Sequence, residues 1–277
     1  MIQAFSSRAT LGVVALAVLS ACSGSPSATP LANSGSLAQA SRVQSVGNRY
    51  SGVLAWYRFN SGPNNAPVKS AIDSGPYGLT GTVTGGLTYS NNRTPRDGGP
   101  FSLNATGDYD YVTVPDNSAL DPTGDFSLSA WAYPTGGQSS NGVGDSIADK
   151  HESPSTGNCI VAYGIYYSAW TNQFSAAICN SSDPSSPEII VSSKDTYPLN
   201  QWHFVELRYS LRPAGKQATL ELLVDGTVEG SQKFKDFAGI NYTSGPFQIG
   251  AENSGGDHGI YRRNFYGYID EVKLLTQ

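Results

Sequence analysis

The sequence predicts an all-β protein, a sandwich of two antiparallel sheets, on three observations. Short runs of β-branched and aromatic residues recur between turn signals, and no stretch keeps a helical apolar period long enough to bury a core. The 277 residues include 31 Gly and 16 Pro, which punctuate those runs. Aromatic residues are abundant (4 Trp, 16 Tyr, 10 Phe) while charged residues are 14% of the chain, against roughly 25% in an ordinary soluble domain. The net charge of −5 argues against a nucleic-acid partner, which calls for a basic surface.

The first element in chain order is a targeting segment. Arg8 precedes the apolar run Leu11 to Leu19, which is too short to span a bilayer and ends in Leu19-Ser20-Ala21-Cys22. This tetrapeptide resembles the lipobox of bacterial lipoproteins, and the resemblance implies that Cys22 carries lipid as the first mature residue. Ser23 then implies sorting to the outer membrane where the envelope has two membranes. Residues 23 to 49 are rich in Ser, Ala, Gly and Pro and read as a flexible tether. Loss of Arg8 with the signal leaves 16 basic and 22 acidic residues, a charge of −6, which disfavours docking on anionic lipid.

Residues 50 to 277 form the folded domain. Strands are expected over 53 to 59, 110 to 114, 126 to 133, 202 to 210, 218 to 225 and 265 to 275. Within 126 to 133 (FSLSAWAY), Phe126, Leu128 and Ala130 alternate with Ser127 and Ser129, giving one buried and one less buried face. Asp225-Gly226 between LELLV and TVEG is a two-residue hairpin signal. Cys159 and Cys179 frame two β-rich runs around a loop at 167 to 171. A symmetric hairpin centred on 169 places them face to face, and a bridge there contributes about 3 kcal/mol. A two-thiol metal pair is the alternative, and it lacks a matching His pair nearby.

Four blocks carry a family resemblance. GVLAWYRFN (52 to 60) is followed by Asp73-Ser74-Gly75, then GDYDYVTVPDNSALDPTGDFSLSAWAYP (107 to 134). WHFVELRYS with ATLELLVDGTVEG (202 to 230) comes third, and FQIGAEN with FYGYIDEVKLL (247 to 253 and 265 to 275) fourth. They resemble the concanavalin A-like, laminin-G-like jelly-roll family of bacterial surface proteins. The resemblance implies a two-sheet antiparallel jelly roll with first and last strands adjacent. It also implies calcium near those strands, with Asp73, Asp270 and Asn60 as ligands, although Asn60 stands where relatives often have Asp. The plain alternative is that Asp73 caps its own turn and Asp270 pairs with a basic residue or a backbone amide.

Glycoside hydrolysis on this fold needs two carboxylates facing one cleft. No E-x-D-x-x-E pattern occurs: 202 to 210 holds Glu206 alone, 218 to 225 holds Glu221 and Asp225, and the consecutive Asp270 and Glu271 are expected on opposite faces. His151, His203 and His258 are scattered, and there is no G-x-S-x-G elbow. The expectation is therefore a non-catalytic, lectin-like module that binds glycan or a surface polysaccharide. An adhesive protein with a protein partner is the alternative. Tyr166, Tyr167 and Trp170 at the tip of the Cys-framed hairpin, with Tyr261 in a Gly-rich loop, are the candidate ligand-binding rings; their dull alternative is packing on a sheet.

Overall fold

A computed structural model describes residues 52–96, 99–137, 144–151, 161–180, 188–212, 217–235, 237, 239–242, 244–253 and 262–277. Cys22, Cys159 and Tyr261, with the signal and tether, lie outside these residues. The strands are β1 (Val53–Tyr57), β2 (Ser70–Ala71), β3 (Gly81–Thr84), β4 (Thr88–Ser90), β5 (Ser102–Ala105) and β6 (Tyr111–Val114). A 3-10 turn (Ser118–Leu120) leads to β7 (Phe126–Gly136), β8 (Asp145–His151), β9 (Val161–Ser168), β10 (Gln173–Ile178), β11 (Ile189–Ser192) and β12 (His203–Arg212). The chain then forms β13 (Gln217–Val224), β14 (Thr227–Lys235), β15 (Phe247–Ile249), β16 (Ala251–Asn253), β17 (Arg262–Asn264) and β18 (Tyr266–Thr276).

The first sheet runs β14-β13-β12-β7-β18-β5-β4, with β1 also on β18; the second runs β11-β10-β9-β8-β15-β6-β3-β2. β18 serves both β5, through residues 267–269, and β1, through residues 272–275. First and last strands are thus adjacent, as the jelly-roll resemblance implies. Alternation builds the core between the sheets: Phe126, Leu128 and Ala130 of β7 and Val205, Leu207 and Tyr209 of β12 meet Tyr163, Ile165 and Tyr167 of β9. Phe126 and Tyr163 pack with ring centroids 5.1 Å apart.

The expected strand positions hold to within a few residues. β1 ends where Phe59 takes φ 49, outside the β region. The Asp225-Gly226 turn has φ 53 and 84 and pairs Val224 with Thr227, the geometry of a type I′ hairpin.

The structure refines three local expectations. The less buried face of β7 is itself closed off, Ser127 and Ser129 being 1% and 5% exposed against 0% for Phe126, Leu128 and Ala130. The flanking strands set Arg208 beside Ser127 and both Glu206 and Lys273 beside Ser129, and such long side chains cover a central strand of small residues. Asp270 and Glu271 do not point to opposite faces: the register shifts between Asp270 and Lys273, and Glu271 takes φ 51. This bulge leaves Ile269 and Val272 in the core with both acids between them off it. Finally, the β9–β10 ladder pairs Tyr163 with Ile178, and Cys179 donates its amide to the Ala162 carbonyl at 3.0 Å. The ladder therefore sets Ala162 across from Cys179, and Cys159 lies outside the described residues.

Candidate functional site

The outer face of the first sheet carries a strip of rings. Trp131 and Tyr133 are two apart on β7 and so share a side. The register places Phe204 of β12 and Asp270 of β18 beside Trp131, and Tyr268 of β18 beside Tyr133. Trp131 and Phe204 are 5.5 Å apart at 58°, Tyr133 and Trp202 5.5 Å at 59°, and Tyr133 and Tyr268 5.5 Å at 70°. These are the tilted and edge-on arrangements that ring quadrupoles favour. Trp202 is anchored by its indole N–H, which donates to Asn92 Oδ1 at 3.0 Å.

Over this strip opens a pocket of about 510 Å³, lined by Trp131, Trp202, Phe204, Pro95, Arg96 and the Asp225-Gly226 turn. Asp225 is fixed by the hairpin: its Oδ1 accepts the Phe204 amide at 2.9 Å and its Oδ2 lies 2.8 Å from His203 Nδ1. Each oxygen retains a lone pair for a further donor. The pocket thus combines three ring walls with a carboxylate and a guanidinium.

Beside it lie the bulged acids. Glu271 accepts the Trp56 indole N–H at 2.5 Å and the Arg58 Nε–H at 3.2 Å. Arg58 and Lys273 both stack over the Trp56 ring, at 4.8 and 4.1 Å. Asp270 is fully buried; its Oδ1 accepts the Glu271 amide at 2.8 Å, and its Oδ2 has no hydrogen-bond partner. Burial, then the Glu271 charge, pushes the Asp270 carboxyl up to about 8. Both side chains are shut away from solvent, and the raised Asp270 carboxyl keeps its proton at neutral pH.

The expected ring cluster is not at the hairpin tip. Tyr166 and Tyr167 are fully buried, because β9 is not the edge of a free hairpin: β8 flanks it on one side and β10, itself paired with β11, on the other. Tyr167 faces the core, 4.9 Å from Phe174, and donates to the Tyr197 carbonyl at 2.7 Å. Trp170, in the β9–β10 turn, is 81% exposed. Tyr261 lies outside the described residues.

The expected calcium ligands do not fit the ion as a set. Asp73 is a turn cap: Oδ1 accepts the amides of Trp56 and Gly75 at 2.8 and 2.7 Å, and Oδ2 that of Leu79 at 2.9 Å. Asn60 Oδ1 accepts the Phe101 amide at 3.3 Å, and Asp270 is enclosed in the bulge. Among the described residues no three His, Cys, Asp or Glu side chains gather in a metal-holding group.

A family model described as the concanavalin A-like lectin/glucanases superfamily matches residues 106–277. The chain belongs to that superfamily. Among solved structures, this lectin/glucanase-superfamily chain is similar to the binding domain of botulinum neurotoxin serotype G, with 12% identity, TM-score 0.52, and coverage of 81% of this chain and 48% of that one. It thus spans about half the length of the toxin domain. It is also similar to an endo-beta-1,4-glucuronan lyase from the fungus Trichoderma reesei, with 14% identity, TM-score 0.45, and coverage of 80% and 94%. A third is the Ruminococcus gnavus IT-sialidase CBM40 bound to alpha2,3 sialyllactose, with 12% identity, TM-score 0.40, and coverage of 57% and 78%. No curated protein matches. At such identities the likeness is one of fold.

The pocket residues Trp131, Trp202 and Phe204 were absent from the sequence-based candidates. Their signal was the pair of outward rings two apart in SAWAY and the W-x-F spacing at 202 to 204, read in register.

Proposed function

We propose that the domain binds glycan in the ring-lined pocket at Trp131, Trp202 and Phe204, without catalysis. The observation that carries the reading is the pocket itself: about 510 Å³, in the range that holds a small ligand. Its walls suit the C–H face of a sugar ring, and its rim supplies one acceptor, Asp225, and one donor, Arg96, for hydroxyls. Support for a binding rather than a catalytic role comes from the acids of this face. Asp270 is enclosed in the bulge with Oδ1 on the Glu271 amide, Glu271 is held by Trp56 and Arg58, and Glu206 accepts both Nε–H and Nη2–H of Arg208 at 3.0 and 2.9 Å.

The rest of the proposal concerns setting. Cys22 anchors the chain through lipid at the envelope, in the outer membrane where there is one, and the tether at 23 to 49 holds the domain off the bilayer. Cys159 and Cys179 form a bridge; support for it is that Cys179 is disulfide-bonded and Cys22 is assigned to lipid. A glycan array probed with the full chain in detergent tests the binding reading. Capture of at least one polysaccharide is expected, and an array with no bound glycan overturns it.

A further inference from the structure

A second cleft, of about 260 Å³, opens on the first sheet where β12, β13 and β14 run side by side. Arg212 of β12 pairs with Gln217 of β13, and Gln217 with Lys235 of β14. In the next row on that side, Ser210 pairs with Thr219 and Thr219 with Lys233. Residues two apart on a strand share a face, so the two rows bring Arg212, Lys233 and Lys235 to one side with the Ser210 and Thr219 hydroxyls and the Gln217 amide. All six residues line the cleft. Arg212 and Lys235 stand one strand spacing to either side of Gln217, which sets their backbones about 10 Å apart and leaves room for an anionic group between them.

Among the described residues the cleft is lined by three cations and no acid. The nearby carboxylates are engaged elsewhere. Glu206 holds Arg208 at 2.9 Å, Glu221 stands across from the same Arg208, and Asp125 Oδ1 accepts the Leu211 amide at 2.7 Å. Arg212, Lys233 and Lys235 are all exposed, and none forms an ion pair with a described residue. Lysines do guard edge strands against pairing, and β14 is an edge. That role calls for neither a cleft nor the guanidinium that Arg212 adds from β12, two strands in. In a chain of net charge −5, three free cations around one cleft reverse the local sign of the field and draw anions to it.

The cleft shares its face with the ring pocket. Phe204 lines the pocket, Ser210 and Arg212 line the cleft, and all three are even-numbered positions of β12. The pairing of β12 with β7 and β13 runs without a register shift, so one side of one strand carries both. Phe204 and Arg212 are eight residues apart, about 27 Å along the strand, a span that suits an oligosaccharide of several units. Resting on the glycan reading of the pocket, we propose that this outer face binds an acidic polysaccharide. Neutral ring faces stack at Trp131, Trp202 and Phe204, and carboxylate or sulfate groups further along the polymer settle on Arg212, Lys233 and Lys235.

Polymers matched in backbone and differing in charge test the inference: polygalacturonate against its full methyl ester for carboxylate, and dextran sulfate against dextran for sulfate. Each is titrated calorimetrically into the full chain in uncharged detergent. At low salt at least one anionic polymer binds about tenfold tighter than its neutral partner, as three exposed charge contacts allow, and the advantage fades at high salt. Arg212→Gln, Lys233→Gln and Lys235→Gln together, all at exposed positions, remove that advantage and leave neutral-glycan affinity unchanged, whereas Trp131→Ala weakens both. No preference for the charged member of either pair, or a preference that the triple variant keeps, overturns the inference while neutral glycan bound through Trp131 leaves the pocket reading standing. Failure of every glycan, neutral or charged, overturns both. Capture of anionic-lipid vesicles or duplex DNA through the three cations, with no charged-polymer preference, gives the cleft to another partner and overturns it as well.

Discussion

Asp270→Asn separates the cost of a buried charge from the value of a hydrogen bond. Asn keeps an oxygen to accept the Glu271 amide, now held at 2.8 Å, and removes the ionisable proton. The folded carboxyl sits at about 8 against a reference of 3.8. Because the pKa is raised, the stability tied to this group is fully present below pH 3.8 and is lost as pH rises through 8. At 1.36 kcal/mol per unit, the gap sets a ceiling of roughly 6 kcal/mol. Urea unfolding of both proteins from pH 4 to 9 reads the effect. The variant matches the wild type within about 1 kcal/mol at pH 4 and is several kcal/mol more stable at pH 9. Parallel stability curves, or a variant less stable at pH 9, would refute the buried acid.

Three further outcomes follow from the same contacts. Asp73→Ala strands three amides at once and lowers stability by about 3 kcal/mol, read as a fall in Tm. Calcium and EDTA leave Tm unchanged within a degree, since the Asp73, Asp270 and Asn60 oxygens are already engaged with the backbone or buried; a calcium-dependent rise would restore the ion. Trp170→Ser, at an 81% exposed turn, leaves stability within about 0.5 kcal/mol and glycan affinity unchanged.

Much of the sandwich was legible because a buried sheet face imposes period two on the sequence, which FSLSAWAY and HFVELRYS carry openly. The type I′ hairpin was legible because Asp-Gly tolerates positive φ. What local patterns could not carry were effects set by distant strands. Tyr166 and Tyr167 read as loop rings until β8 and β11 enclose their hairpin. The bulge at Asp270-Glu271 has no Gly to announce it, since Glu271 itself takes φ 51. The pocket joins Trp131 and Phe204, far apart in sequence, through the β7–β12 register, which no single segment encodes. Arg263 follows Arg262 in the sequence, but its partner is Glu252, set across from it by the β16–β17 pairing.

The most direct measurement is calorimetric titration of an array-identified glycan into the wild type, Trp131→Ala and Trp170→Ser. Removing a central ring anchor weakens binding at least tenfold, about 1.4 kcal/mol, while Trp170→Ser binds as the wild type does. Equal affinity in Trp131→Ala, with its fold intact by circular dichroism, would place the glycan elsewhere and contradict the assignment of the pocket.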